Sequence, residues 1–76
     1  MDDAEEILVD ARGHRCPVPT LRLRRALAAA RVGARVRLLA DDPLARIDVP
    51  HFAAQAGATV AEISERGGVL AFVIVK

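Results

Sequence analysis

The chain contains no tryptophan or tyrosine, two phenylalanines and one cysteine among 76 residues. A single thiol rules out an internal disulfide and also an intramolecular dithiol cycle, which needs a second cysteine. Long apolar runs are missing too. None approaches the roughly 20 residues that a membrane-spanning helix requires. Charge of one sign is not in excess, because eleven basic and ten acidic residues leave a formal charge of +1. A near-neutral chain without aromatic stacking platforms has neither the field nor the surface for general nucleic-acid binding. The start, MDDAEE, lacks the charged, apolar and small-residue segments of a secretory signal. A reducing cytoplasm is the expected setting, with no membrane partner and no direct nucleic acid.

What is present is aliphatic: 53% of the residues are hydrophobic, mostly Ala, Val and Leu. That suffices for one core, and the length allows one domain over residues 1–76. Ile7, Leu8 and Val9, closed by Asp10, read as a first strand. Pro17 and Pro19 resemble helix breakers, but the first helical turn has no intrahelical use for its N–H groups, so proline is tolerated there. They mark an entrance. Thr20, Leu23, Leu27 and Ala30 recur at helical spacing, predicting a helix from about Pro17 to Val32, stopped by Gly33.

Arg35 to Ala40 alternates Val36, Leu38 and Ala40 against Arg35, Arg37 and Leu39, the period of a half-buried strand. In the following ADDP, Asp42 is placed to cap a helix begun by Pro43. Pro50 predicts either a kink in that helix or a break before a new one from about Val49. Thr59 to Glu65 and Val69 to Val75 are strand-like, and the glycines between them suit a tight hairpin. Val73 and Val75 should point away from Phe72 and Ile74, giving the second sheet face some apolar character. The expected fold is an α/β two-layer sandwich of order β-α-β-α-β-β, a four-stranded mixed sheet with two helices on one face.

The stretch GHRCPVP, Gly13 to Pro19, concentrates the chemistry. A cysteine at the start of a helix meets the positive end of the helix dipole and free N–H groups, and Arg12, His14 and Arg15 are close in sequence. Such surroundings lower a thiol pKa from its reference of about 8.5. A free cysteine is also often a small buried hydrophobe. Two prolines make its mount rigid, and one rigid, activated thiol can carry a group as a persulfide between proteins. Cys16 is therefore the candidate nucleophile, with Gly13, Pro17 and Pro19 as support. Val18 and Leu21 lie off the helix's core stripe, with Arg22 and Arg25 nearby, and with Arg12 and Arg15 they form a candidate docking patch. The positions of His14 and His51 do not mark either as the base of a hydrolase. Asp41 and Asp42 also invite a role in the transfer itself; capping explains Asp42 without one, and Asp41 has no structural task assigned. Cys16, His14, His51, Asp41 and Asp42 lack paired metal-ligand spacing, so no metal or other cofactor is expected.

GHRCPVP, with Asp10 before it and ADDP and IDVPHF downstream, resembles the TusA family of small sulfur-carrier proteins and its Cys-Pro-x-Pro signature. The resemblance extends from Val9 to the final strand. It implies a sulfurtransferase whose Cys16 bears a persulfide. It also implies two kinds of partner: a cysteine desulfurase or rhodanese-like donor, and an acceptor protein with a reactive cysteine. The routes it implies are tRNA thiolation, molybdenum-cofactor biosynthesis and sulfur oxidation. Family members often add a second cysteine after the downstream Phe and a Gly-His pair further on; here those places hold Ala53 and Gly57-Ala58. A two-cysteine mechanism is thereby excluded. Two competing readings use the same surfaces without sulfur chemistry: a nucleic-acid-binding or regulatory module built on the Arg22 to Arg37 cluster, and a non-catalytic adaptor.

Overall fold

The structure, a computed structural model, describes residues 6–15 and 17–76. Its elements are β1 (Glu6–Asp10), α1 (Val18–Ala29), β2 (Arg35–Ala40), α2 (Ala45–Gln55), β3 (Thr59–Arg66) and β4 (Val69–Val75). The sheet order is β1-β2-β4-β3. β1 and β2 run parallel, and the other pairs are antiparallel. This is the expected mixed sheet. α1 packs on β1 and β2, α2 packs on β3 and β4, and the helices touch each other, so both cover one face.

Strand alternation decides what that face buries. Val9 on β1, Val36 and Leu38 on β2, and Leu70, Phe72 and Ile74 on β4 join Leu23 and Leu27 of α1 and Ala45, Val49 and Ala53 of α2 in one cluster. Phe72 is fully enclosed, and Phe52 packs against the cluster half-buried. Residues of the other register line the second face. There Leu8, Arg37, Val73 and Glu62 lie in one row across the four strands. Val73 is buried, Leu8 is exposed, and Arg37 Nε donates to Glu6 Oε2 at 3.1 Å. The face is apolar only in part, as the alternation predicts.

Two boundaries differ from the sequence reading, and of the two outcomes it allowed at Pro50 the break does not occur. α1 stops at Ala29 rather than Val32, because Ala30 takes up an extended backbone (ψ 157°). Gly33, with φ +91°, belongs to the turn into β2, where Ala34 N donates to the Arg31 carbonyl, and is not the helix stop. Lys76 Nζ meets the freed end of α1, donating to the Ala30 carbonyl at 2.6 Å. Asp42 does not cap α2 directly either. Its Oδ1 accepts from Leu44 N at 3.1 Å, and Pro43 lies in a turn before the helix begins. Finally, α2 runs unbroken through Pro50. The missing N–H costs one helical bond to the Arg46 carbonyl, and the packing of Val49 and Ala53 on either side holds the helix together. The hairpin forms as expected, Gly67 and Gly68 taking φ +57° and +81° between the paired Arg66 and Val69. Among the described residues, no helix is long and apolar enough to cross a membrane.

Candidate functional site

β1 and β2 are neighbours running the same way, so their C-terminal ends, Asp10 and Ala40, release the chain at one edge of the sheet. Two loops meet there. The first, residues 11–17, leads into α1, and the second, residues 41–44, leads into α2. Gly13, His14 and Arg15 of the first loop and Asp41, Asp42, Pro43 and Leu44 of the second line a shared groove of about 510 Å3.

The first loop is held amide by amide. Ala11 N donates to the Leu39 carbonyl of β2 at 2.8 Å, and His14 N to the Ala11 carbonyl at 3.3 Å. Arg12 N donates to Asp10 Oδ1 at 3.1 Å. Gly13 N donates to both carboxylate oxygens of Asp41, each at 3.0 Å. Gly13 has φ +85°, a left-handed conformation that glycine adopts without steric cost. The Arg12 guanidinium closes on the Asp10 carboxylate through Nε at 2.9 Å and Nη2 at 2.7 Å. These bonds, then the Arg12 amide and the charge of Arg22, hold the Asp10 carboxyl down at about 2 against an ordinary 3.8. Asp10 in turn raises the Arg12 guanidinium, first by the same hydrogen bonds.

Cys16, the candidate nucleophile, lies outside the described residues. Its neighbours in sequence are on view. Pro17 is the N-cap of α1, and Pro19 sits buried in the first turn. Neither has an N–H, and the Val18 amide donates to the Arg15 carbonyl at 2.9 Å. Three of the four amides that a helix start normally offers to an anion are therefore unavailable at α1, and that of Thr20 is the fourth. The sequence reading credited this terminus with free donors. The prolines that fix the turn remove two of them and the Val18 to Arg15 bond takes a third, which leaves the Thr20 amide, the helix dipole and nearby cations.

The candidate docking residues separate into two groups. Leu21, Arg22 and Arg25, with Val9, Ala26 and Ala29, line a groove of about 400 Å3 on the β1 side of α1. Leu21 is 54% exposed, whereas Val18 is half-buried and outside that groove. Arg22 is partly committed, Nη1 donating to the Asp10 carbonyl at 2.6 Å, and Arg12 is bound to Asp10. Arg15 and Arg25 are exposed and make no side-chain hydrogen bond or ion pair among the described residues. The sequence reading left Asp41 without a structural task and did not see Asp10 as an anchor for Arg12 and Arg22. A usable signal existed: both aspartates sit at the ends of strands that a β-α-β unit makes parallel neighbours.

The TusA family model, described as sulfurtransferase TusA, matches residues 7–76. The chain belongs to the TusA family. A putative sulfur carrier protein of Archaeoglobus fulgidus is 39% identical over 67 residues, covering 87% of each chain. The sulfur carrier protein TusA of Allochromatium vinosum is 38% identical over 68 residues, covering 90% of each. The crystal structure of a SirA-like protein from Desulfitobacterium hafniense superposes with a TM-score of 0.81 at 34% identity, covering 91% of this chain and 95% of that one. Membership of TusA thus spans both loops and every element of the sandwich, and it sets the chain among sulfur carriers.

Proposed function

We propose that this protein is a cytoplasmic sulfur carrier that accepts sulfane sulfur as a persulfide on Cys16 and delivers it to an acceptor protein. The observation that carries the reading is the family match over residues 7–76, with Cys16, Pro17 and Pro19 retaining the family's Cys-Pro-x-Pro signature. In loading, the Cys16 thiolate attacks the outer sulfur of a persulfide on a cysteine desulfurase or rhodanese-like donor. A new S–S bond forms, the donor's S–S bond breaks, and the donor cysteine leaves as a thiolate. Discharge repeats the exchange, with an acceptor thiolate attacking the outer sulfur and Cys16 leaving. Nothing is oxidised or reduced overall. No cofactor enters the exchange.

The groove of Leu21, Arg22 and Arg25 supports docking on α1, since an exposed apolar residue flanked by guanidinium groups suits a partner surface with complementary charge. Arg15, adjacent to Cys16 in sequence, is a cation on hand for the waiting persulfide anion. The family's routes, tRNA thiolation, molybdenum-cofactor biosynthesis and sulfur oxidation, differ in donor and acceptor while sharing this chemistry.

Incubation with a cysteine desulfurase and cysteine, or with a rhodanese and thiosulfate, should add about 32 Da per sulfur, removable by dithiothreitol. Cys16→Ser should abolish the adduct completely and leave the unfolding midpoint close to that of the native protein. No adduct from any donor at stoichiometric protein would overturn the carrier reading; a large stability loss in Cys16→Ser would favour a buried structural thiol.

A further inference from the structure

We propose that Asp41 is a positioning residue for sulfur transfer, its carboxylate clamping the Gly13 amide and so setting the loop that leads to Cys16. The inference rests on the carrier reading above. Its basis is one contact between residues 28 apart in sequence: both oxygens of Asp41 accept the same N–H at 3.0 Å. A carboxylate acceptor makes such a bond roughly twice as strong as a neutral one. Gly13 sits there at φ +85°, so its amide can be aimed at β2's end without a Cβ to oppose the turn. Ala11 is already fastened to Leu39. With the Asp41 clamp, the loop is tied to the end of β2 and its exit at two residues, Ala11 and Gly13, five and three positions before Cys16 in sequence. No contact of Asp41 with sulfur is required. Its effect passes through the backbone of Gly13 to His14 and Arg15, which line the groove with it.

A hydrogen-bond role and a charge role make different predictions for two substitutions. Asp41→Asn keeps a carbonyl oxygen for the Gly13 amide but removes the charge, and Asp41→Ala removes both. We expect Asp41→Ala to slow persulfide loading about tenfold, from the value of a charge-assisted hydrogen bond. Asp41→Asn should stay within about threefold of the native rate, because a neutral hydrogen bond recovers much of that value. Amide exchange at Gly13, read by NMR, should lose its protection in Asp41→Ala and keep most of it in Asp41→Asn. The pH profile of Cys16 alkylation by iodoacetamide should keep its midpoint in Asp41→Asn. Equal loading by native protein and Asp41→Ala, or equal damage and a shifted alkylation midpoint in both variants, would overturn the clamp. If the native protein took sulfur from no donor, the carrier reading would fall by itself. The exchange and alkylation measurements would then still decide whether Asp41 governs the loop.

Discussion

The two passages from strand to helix begin at the same sheet edge and are held in opposite ways. The β2-to-α2 passage, residues 41–44, closes on itself: Leu44 N reaches Asp42 Oδ1, and Ala45 N reaches the Asp42 carbonyl at 2.9 Å. The β1-to-α1 passage, residues 11–17, relies on others. Two of its amides reach across to Leu39 and Asp41, and Arg12 doubles back on Asp10. Local bonds brace the short passage, which reaches across through the carboxylate of Asp41. The longer one, which carries the candidate nucleophile, takes its shape from its neighbour. Changes at the end of β2 should therefore be felt in the thiol loop, and changes in the thiol loop should leave the start of α2 alone.

The strongest way to break that comparison is to deny the first loop its left-handed residue. Gly13→Val places a β-branched side chain at φ +85°, at a cost of about 1–2 kcal/mol if the backbone holds. Nothing lies within 4 Å of the added Cβ, so the strain is conformational and the loop can relieve it by moving. The unfolding midpoint should then fall by less than the full strain implies, while Gly13 loses its alignment with Asp41 and loading slows. NMR shifts should change over residues 11–15 and remain unchanged at Ala45 to Val49. Perturbation spreading into α2 would show that the passages are not asymmetric.

Much of this arrangement was legible in the sequence, because periodicity reports which face is buried. The alternation in RVRLLA became β2 with Val36, Leu38 and Ala40 inside, and the Leu23 and Leu27 stripe became the buried face of α1. The α1 boundary was less legible, since Ala30 to Val32 could continue a helix on propensity alone, and Gly33 marks a turn whichever element it serves. The loop ties were hidden for another reason. A contact between Gly13 and Asp41 depends on β1 and β2 being adjacent and in register, and no local pattern reports that. Cys16 stands out as the candidate nucleophile from its flanking prolines, and it lies outside the described residues. That those same prolines take two donors from the helix start follows from proline's missing N–H, whereas the loss of a third, the Val18 amide bound to the Arg15 carbonyl, is visible only in the structure.

Prolines sharpen the comparison at the next level of effect. Pro19 occupies the second position of α1, where no intrahelical acceptor waits for an N–H, whereas Pro50 lies five residues into α2 and deletes a bond to the Arg46 carbonyl. Pro50→Ala should raise stability by about 1 kcal/mol, less than the roughly 3 kcal/mol propensity difference because the half-buried ring also loses packing. Pro19→Ala should lower stability by about 0.5 kcal/mol, through the greater freedom of its unfolded chain together with some lost packing of a buried ring. Denaturant midpoints of the two variants should therefore move in opposite directions. A gain in both would mean that the entrance of α1 is strained.

The smallest effect should distinguish the passages by acid. Asp10, bound to Arg12 in the first loop, has its carboxyl held at about 2 in the folded protein against 3.8 ordinarily. A depressed folded value means that between these two pH values the unfolded chain takes up a proton that the folded chain refuses. The stabilisation from Asp10 is thus complete above 3.8 and is lost as pH falls toward 2. Because this pair is exposed, salt should screen it, and the contribution is that of a surface ion pair. Asp10→Asn should lower the thermal midpoint slightly at neutral pH and low salt. The gap to the native protein should narrow below 3.8 and close near 2. The Arg12 amide should keep its exchange protection through that interval and lose it only as pH falls through about 2, where the folded carboxylate that accepts it is neutralised. A midpoint gap that survived unchanged to the acid end would mean that Asp10 holds the loop by shape and neutral hydrogen bonding. The first passage would then be as independent of charge as a turn closed by its own backbone, and the ion pair with Arg12 would be a consequence of the loop's form.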